Sequence, residues 1–338
     1  MSPAVSVIIP LYNAENFIRQ CLVSVLASEF ENYEVILIDD CSTDNGVEEV
    51  EKLLPHFSGR LKIFRTEKNS GGAGVPRNLG IKNSSGKYIT FIDNDDMILP
   101  TALENFFAVT EETGADVIHT EKCLGFRYVE GQNFSRNDLQ NVFTDKNISG
   151  TETVATETPD LNDRIGRYTL NQFGWLPWGK FFRRDFLTEN KIEFPQLALS
   201  EDMIFCFKCL CLAKNYVRVP FAANIHRFRI GSASQHVSRT LSESLQRWLS
   251  VILPGAEILD DFMNGEEFFE RNSERREDIL KFWVHSHLDF MKKNFAGMSR
   301  YEIRKFFKTE LKKIAPDKNS RQRKIFDKYF PEYEFNFN

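Results

Sequence analysis

No apolar run among the 338 residues approaches the length that spans a bilayer. Cysteine is scarce too. Six residues in no framework-like spacing exclude a disulfide-stapled scaffold and predict free thiols. A basic leader is missing, because Met1 to Pro3 run directly into the strand-like Val5-Ser6-Val7-Ile8-Ile9. These absences predict a cytoplasmic protein, at most peripheral at the inner face of the membrane. Positive charge is not in surplus either: the net charge of −5 argues against nucleic acid as a partner. Gly72-Ala73-Gly74 lacks the third glycine of a dinucleotide fingerprint, and Cys206-x-x-Cys209-x-Cys211 lacks a paired zinc pattern. On a helix those thiols spread around the axis, as buried structural cysteines do.

What remains is ordinary globular composition, 42% hydrophobic and 27% charged, with length for one large or two ordinary domains. Charge is unevenly spread. Positions 275–328 hold 16 Lys and Arg against 7 Asp and Glu, a local +9 that leaves −14 elsewhere. That split marks off a C-terminal segment.

Strand-like patterns at positions 5–9, 34–38, 61–64, 88–92 and 116–118 alternate with helical ones. The alternation predicts an α/β fold with a mostly parallel sheet flanked by helices. Phe17, Ile18, Cys21, Leu22, Val25 and Leu26 share a helical face behind Asn13, which is placed to be its N-cap. Thr101-x-x-Glu104 and Ser299-x-x-Glu302 read as capping boxes, and Ser200 is placed to cap a helix carrying Met203, Ile204, Phe207 and Leu210. Between 125 and 171 the pattern dissolves, and no regular element is predicted. Further on, Ile279, Phe282, Trp283 and Phe290 stripe one helix, and Ile303, Phe306, Phe307, Leu311 and Ile314 another. These basic helices admit two readings: contact with anionic lipid, or packing against the rest of the chain or a second copy.

Two acidic clusters follow strand patterns directly: Asp39-Asp40, and Asp93-Asn94-Asp95-Asp96. Ligands of open α/β sheets bind outside the carboxyl ends of strands. One such cluster alone is most simply turn punctuation. Two at equivalent strand ends can meet in one crevice, where they repel unless a cation neutralises them. An Asp-x-Asp pair offers hard oxygens that Mg²⁺ or Mn²⁺ accepts, with diphosphate oxygens completing the octahedron.

Val5-Ser6-Val7-Ile8-Ile9-Pro10-Leu11-Tyr12-Asn13 and Val35-Ile36-Leu37-Ile38-Asp39-Asp40-Cys41-Ser42-Thr43-Asp44 resemble the opening of family 2 glycosyltransferases. Asn69-Ser70-Gly71-Gly72, Pro76-Arg77-Asn78-Leu79-Gly80-Ile81 and Gly86-Lys87-Tyr88 through Asp96 continue the likeness in the family's order and spacing. It runs from about 5 to 234, is strongest to 102, and does not reach the C-terminal tail. The resemblance implies a GT-A fold with three regions. These are a nucleotide-sugar-binding half at 1–120, an acceptor and catalytic-base half at 121–235, and a helical basic region at 236–338. It also implies a nucleotide-sugar donor, with UDP the fitting nucleotide, and a saccharide or lipid-linked acceptor in surface polysaccharide synthesis. Asp40, supported by Asp39, matches the residue that reads the base. Pro10, Tyr12 and Asn13 match the base pocket, and Arg77 and Asn78 the loop flanking the nucleotide. Asp95 matches the direct metal ligand, with Asp93 and Asn94 nearer the ribose.

Ser200-Glu201-Asp202 resembles the family triplet whose Asp is the base of inverting transfer, in which the acceptor hydroxyl needs a nearby proton acceptor. A place in the first turn of a helix is expected to keep Asp202 ionised at neutral pH. Trp178 through Leu187 resembles the segment before the base. Trp175 and Trp178 suit a sugar platform or a buried core equally, and Lys180 is a candidate for acceptor or phosphate. His226-Arg227-Phe228-Arg229-Ile230-Gly231-Ser232 resembles a late loop over the donor phosphates. There His226 is a candidate metal ligand, and the alternation of Arg227 and Arg229 lets one of them face the diphosphate. Val75-Pro76 departs from the small residues usual before Arg77. Two other classes stand beside the enzyme reading: a non-catalytic nucleotide-binding module, and a nucleotidyltransferase.

Overall fold

Runs of Val, Ile and Leu with no polar alternation make strands that are covered on both faces. The first two such runs become β1 (Val5–Leu11) and β2 (Tyr33–Asp39), in which every residue is buried. The computed structural model describes residues 2–129, 139–143, 153–229 and 240–333. Within them follow β3 (Leu61–Arg65), β4 (Tyr88–Phe91), β5 (Met97–Ile98), β6 (Val117–Arg127), β7 (Gln140–Phe143), β8 (Ala155–Thr156), β9 (Lys180–Arg183) and β10 (Tyr216–Phe228). They form one sheet in the order β3-β2-β1-β4-β9-β6-β10-β5, with β7 on β6 and β8 on β10. β3, β2, β1 and β4 run parallel, β9 is antiparallel to both neighbours, and β6 and β10 are parallel again. This is the expected α/β sheet, mostly parallel and covered by helices.

The covering helices are α1 (Ile18–Leu26), α2 (Gly46–Glu51), α3 (Leu54–Phe57), α4 (Gly74–Asn83), α5 (Ala102–Thr113), α6 (Leu161–Thr169), α7 (Arg184–Glu189) and α8 (Glu201–Leu212). The Ile18, Leu22 and Val25 face of α1 joins Val7, Ile9, Val35 and Leu37 in one core cluster. On the sheet's other helix, a Cβ on Gly80 would lie 2.4 Å from Ile8 Cγ2, so glycine is what lets α4 lie against β1. The six cysteines are free, and Cys206, Cys209 and Cys211 are buried, as their helical spacing predicts.

The chain divides into two compact units, Met1–Ile230 and Gly231–Asn338. The second is built from α9 (Leu241–Asn264), α10 (Glu267–Arg271), α11 (Ser273–Met291), α12 (Arg300–Ile314) and α13 (Arg321–Tyr329). Trp283 anchors it by donating from Nε1 to the Ile252 carbonyl at 3.0 Å. Buried Asp260 of α9 holds Arg276 of α11 and Arg321 of α13, each at 2.7 Å. Ile279, Trp283, Ile303, Phe307 and Leu311 are buried, so these apolar stripes are spent on packing within the unit, while Phe290 stays 53% exposed. No helix among the described residues is long and apolar enough to cross a membrane.

The structure corrects three expected caps and keeps one. Asn13 has φ +45 and binds Thr43, while α1 begins five residues later behind Phe17. Thr101 precedes α5 in helical conformation, and Ser200 precedes α8 with φ +61; neither side chain makes a capping bond. A capping side chain reaches the next turn's N–H groups from extended backbone. Ser299 has that backbone, with ψ 155, and its box with Glu302 is complete. The stretch from 125 to 171, predicted to hold no regular element, contributes β7, β8 and α6. Helix α6 escapes the hydrophobic pattern because one of its buried residues is an arginine. Arg164 donates to the carbonyls of Leu210 and Ala213 at 3.1 and 2.7 Å.

Candidate active site

The carboxyl ends of β2, β1 and β4 lie side by side. Register pairs Leu11 with Asp39 across β1 and β2, and Phe91 with Ile8 across β1 and β4. Adjacent strands are spaced about 4.8 Å apart, so the two acidic clusters sit roughly 10 Å from one another along this edge. Asn94 ties the β4 end to the β1 end, its Nδ2 donating to the Pro10 carbonyl at 2.9 Å. Tyr12 is 47% exposed there, the disposition of a ring that can cover a ligand.

Asp40 is buried and heavily subscribed. It accepts from Thr66 Oγ1 at 2.8 Å, Ser70 N at 3.0 Å, Ser70 Oγ at 2.8 Å and Asn69 Nδ2 at 3.3 Å. A carboxylate offers about four lone-pair sites, so Asp40 is occupied in shaping the 66–72 loop. Its expected role of reading a base would require it to give up one of these donors. Asp39 is less committed, accepting from Ser42 N at 2.9 Å and lying 3.4 Å from the exposed Arg65. Asn13 takes the backbone of Thr43 at 2.8 Å.

The Asp93–Asp96 run is neutralised by protein cations one by one. Arg77 Nη2 donates to Asp93 Oδ1 at 2.6 Å and Arg229 Nε to Asp95 Oδ2 at 2.6 Å. His226 Nδ1 lies 2.9 Å from fully buried Asp96, which also accepts from Arg227 N at 2.8 Å. Burial pushes Asp96 up to about 6, against the lowering influence of His226. His226 is lowered by burial, but the hydrogen bond and charge of Asp96 outweigh this and raise it. Trp178 is buried beneath the imidazole, stacked at 5.5 Å and 13°, so of its two readings the structure takes the core one.

Arg77 connects this cluster to the second acid pair. Its Nη1 donates to Glu201 Oε1 at 3.0 Å, and its guanidinium lies over Phe194 at 5.3 Å. Glycine makes the approach possible, for a Cβ on Gly74 would fall 2.9 Å from the Pro195 carbonyl and 3.1 Å from Glu201 Cγ. Asn78 secures it by exchanging two bonds with the backbone of Phe194, at 2.8 and 2.9 Å. Arg77 and Asn78, expected beside a nucleotide, are thus both engaged in joining α4 to the segment that leads into α8.

Asp202 opens α8, accepting from Met203 N at 2.9 Å. The expectation that a helix start keeps it ionised needs correction. Burial and the neighbouring Glu201 push it up to about 7, more than Arg77 and the Met203 amide pull it down. Field from a helix end is worth at most about 2 kcal/mol, and desolvation of a carboxylate can exceed that.

Lys180 is turned away from any ligand: it is buried, and its Nζ donates to the carbonyls of Gly174 and Leu176 at 2.8 and 2.6 Å. Arg227 is likewise buried, donating to Gln20 at 2.6 Å amid Phe17, Phe126 and Tyr128. Of the alternating pair, Arg229 faces the acidic run. The end of that late loop, Ile230-Gly231-Ser232, lies outside the described residues. Sequence reading gave no role to Asp96, although it stands within the acidic run, and nothing in the sequence signals the Gln20 partner of Arg227.

Among the described residues no three His, Cys, Asp or Glu side chains converge into a metal cage. The expected ligands Asp93, Asp95 and His226 are nevertheless of donor types that Mn²⁺ accepts. A divalent ion held through one or two carboxylates plus substrate phosphates needs no such cage.

The sequence matches Glycosyl transferase family 2 over residues 6–177. Poly(ribitol-phosphate) beta-N-acetylglucosaminyltransferase TarS of Staphylococcus aureus strain MW2 is 34% identical over 206 residues, 60% of this chain and 32% of TarS. The chain therefore spans about a third of that relative. Its counterpart TarP of strain N315 is 28% identical over 336 residues, 96% of this chain and 93% of TarP. The crystal structure of S. aureus TarS 1–349 superposes with a TM-score of 0.63 at 23% identity, covering 100% of this chain and 94% of that one. The same fragment in complex with UDP-GlcNAc gives 0.56, again at 23% identity and with the same coverage. Mannosyltransferase PcManGT from Pyrobaculum calidifontis, in complex with GDP-Man and Mn²⁺, gives 0.52 at 13% identity, covering 99% and 89%. At these identities the structural likeness speaks to the fold, a GT-A sheet with a helical C-terminal region. The family match extends over half the chain and takes in both acidic clusters, and it displaces the reading as a nucleotidyltransferase: this chain belongs to glycosyl transferase family 2.

Proposed function

We propose that the enzyme moves a sugar from a UDP-linked donor to a saccharide or lipid-linked acceptor by inverting single displacement, in surface polysaccharide synthesis. The observation that carries this reading is Arg77, which ties Asp93 at one strand end to Glu201 beside Asp202. It supports a donor motif and a base candidate held in fixed relation. Asp202 titrates near 7 and so can receive the proton of an acceptor hydroxyl at neutral pH and release it afterwards. Arg229 and the exposed ring of Tyr12 suit the diphosphate and the base of the donor. Mn²⁺ or Mg²⁺ would be held by Asp95 and Asp93 with His226, and its chemistry would be to stabilise charge on the departing diphosphate. Asp96 fixes the His226 ring by taking its Nδ1, which leaves Nε2 to face a ligand.

The donor nucleotide is supported by the UDP-GlcNAc complex of TarS, and the poly(ribitol-phosphate) transferase names of TarS and TarP favour, within surface-polymer synthesis, a polyol phosphate chain as the acceptor. Incubation with a panel of nucleotide sugars and Mn²⁺, with detection of free nucleotide diphosphate, tests the reading. UDP release from one UDP-sugar is expected, and an inert panel would sink the proposal. Asp202→Asn should bind the donor and fail to transfer.

A further inference from the structure

Helix α12 carries a row of cations that no ion pair among the described residues satisfies. At about 100° per residue, Tyr301, Lys305, Lys308 and Lys312 fall within an arc of roughly 60°. That arc lies opposite the buried Ile303, Phe307 and Leu311. All four side chains are exposed, Tyr301 by 74%. Among the described residues the three lysines have no carboxylate partner, whereas Lys313 on the flank is paired with Glu310 at 2.6 Å. No acidic residue occupies the arc. Glu302 lies about 60° beyond it and is spent on the capping box with Ser299. Three like charges on one side of a helix repel by a few tenths of a kcal/mol for each adjacent pair. Lys312, in the last turn, gains from the helix dipole, but Lys305 and Lys308 gain no such support.

We propose that this face of α12 binds the backbone of a polyanionic acceptor chain, a repeating polyol phosphodiester. The inference rests on the proposed function and adds a binding surface outside the acidic cleft. Lys305 to Lys312 spans about 10 Å along the axis, so the row presents charge at successive points along an extended polymer. Lysine suits this task, since its ammonium is a point charge that needs no fixed angle to phosphate. Tyr301 at the head of the row adds a ring for a polyol segment to lie against. A lipid surface fits less well. Helices that rest on bilayers insert an apolar face, and the apolar face of α12 is buried inside its own unit.

The test measures binding of an end-labelled poly(ribitol phosphate) chain by fluorescence anisotropy. The protein is compared with the triple variant Lys305→Ala, Lys308→Ala, Lys312→Ala and with the matching triple Lys→Arg. The wild type should bind with a log–log salt slope of about −2, as three phosphate contacts on a flexible strand require. Affinity should fall about tenfold or more in the alanine variant at low salt and return in the arginine variant. In transfer assays, KM for the polymer should rise while kcat is held. Unchanged polymer affinity in the alanine variant overturns the inference, and so does equal binding of neutral dextran. Loss of binding to vesicles containing phosphatidylglycerol with polymer binding intact overturns it in favour of a membrane. Surface lysine substitutions cost within about 0.5 kcal/mol, so all variants should melt together. If no donor is turned over yet the polymer binds through these lysines, the proposed reaction fails and the surface stands.

Discussion

Arg77 and Glu201, 124 positions apart in sequence, meet at 3.0 Å, and the other terminal nitrogen of the same guanidinium lies 2.6 Å from Asp93. One planar fork serves two carboxylates on separate elements, a geometry lysine cannot copy. Replacing Arg77 with Met would leave buried Glu201 beside Asp93 with no counter-charge, at a cost of about 3–5 kcal/mol. Thermal unfolding should show the loss, and transfer activity should vanish with it. Arg77→Lys should recover part of the stability and little of the activity. A variant that melts with the wild type would remove the bridge from its structural role.

As the proposed base, Asp202 should set the acid limb of activity. Because its carboxyl titrates near 7, kcat/KM should fall about tenfold per pH unit well below that value. A limb near pH 4 would contradict the burial described above.

The same carboxyl shapes stability in the opposite sense. Its folded value of about 7 stands above that of an unfolded chain, so the fold favours the protonated acid. This contribution is whole below about pH 4 and is lost as pH rises through about 7. Asp202→Asn should therefore melt above the wild type at pH 8, by about 2–4 °C for each kcal/mol recovered, while losing transfer. Equal melting at pH 8 would refute it.

At the proposed metal site, Arg229 would compete with a divalent ion for Asp95. With the 2.6 Å pair removed in Arg229→Ala, Mn²⁺ should bind more tightly in the absence of donor, as read by electron paramagnetic resonance. Donor KM should rise about tenfold as a phosphate partner is lost. Unaltered Mn²⁺ affinity would count against Asp95 as a ligand.

In the helical unit, Gly255→Ala sets propensity against packing. Alanine favours a helix interior by about 1 kcal/mol. Its Cβ, however, would lie 2.1 Å from Trp283 Cζ2, a clash the buried indole cannot relieve by moving into solvent. Overpacking should win, with a net loss of about 1–3 kcal/mol in denaturant unfolding.

The parallel strands β1 to β4 and the start of β6 were legible as short, mostly apolar runs, and both acid clusters were placed at the sheet's carboxyl edge by the positions of Asp39 and Asp93 alone; β5, β7, β8, β9 and β10, which are very short or carry polar residues, were not read. What sequence could not show is who neutralises whom. Arg77, Asn78, Lys180 and Arg227 are all polar residues beside recognisable motifs, yet each is spent on backbone, carboxylate or side-chain amide partners. Those partners are fixed by three-dimensional proximity over separations as large as 207 positions, as for Arg227 and Gln20. Caps at Asn13, Thr101 and Ser200 failed for a local reason: residue type suggests a cap, but backbone conformation decides whether the side chain can reach. Asp202 was misjudged because a dipole is visible in a helical pattern and desolvation is not.

The pair of bonds between Asn78 and Phe194 is made to main-chain atoms, so it recognises the course of the chain and is indifferent to which side chain position 194 carries. An aspartate at 78 would keep the acceptor and forfeit the donor, which makes this amide unusually intolerant of a change of one atom. The two bonds therefore leave composition at 194 to the ring's own burial and its contact with Arg77, but they forbid a change of length, since one inserted residue would uncouple the helix bearing Asp202 from the helix bearing Arg77.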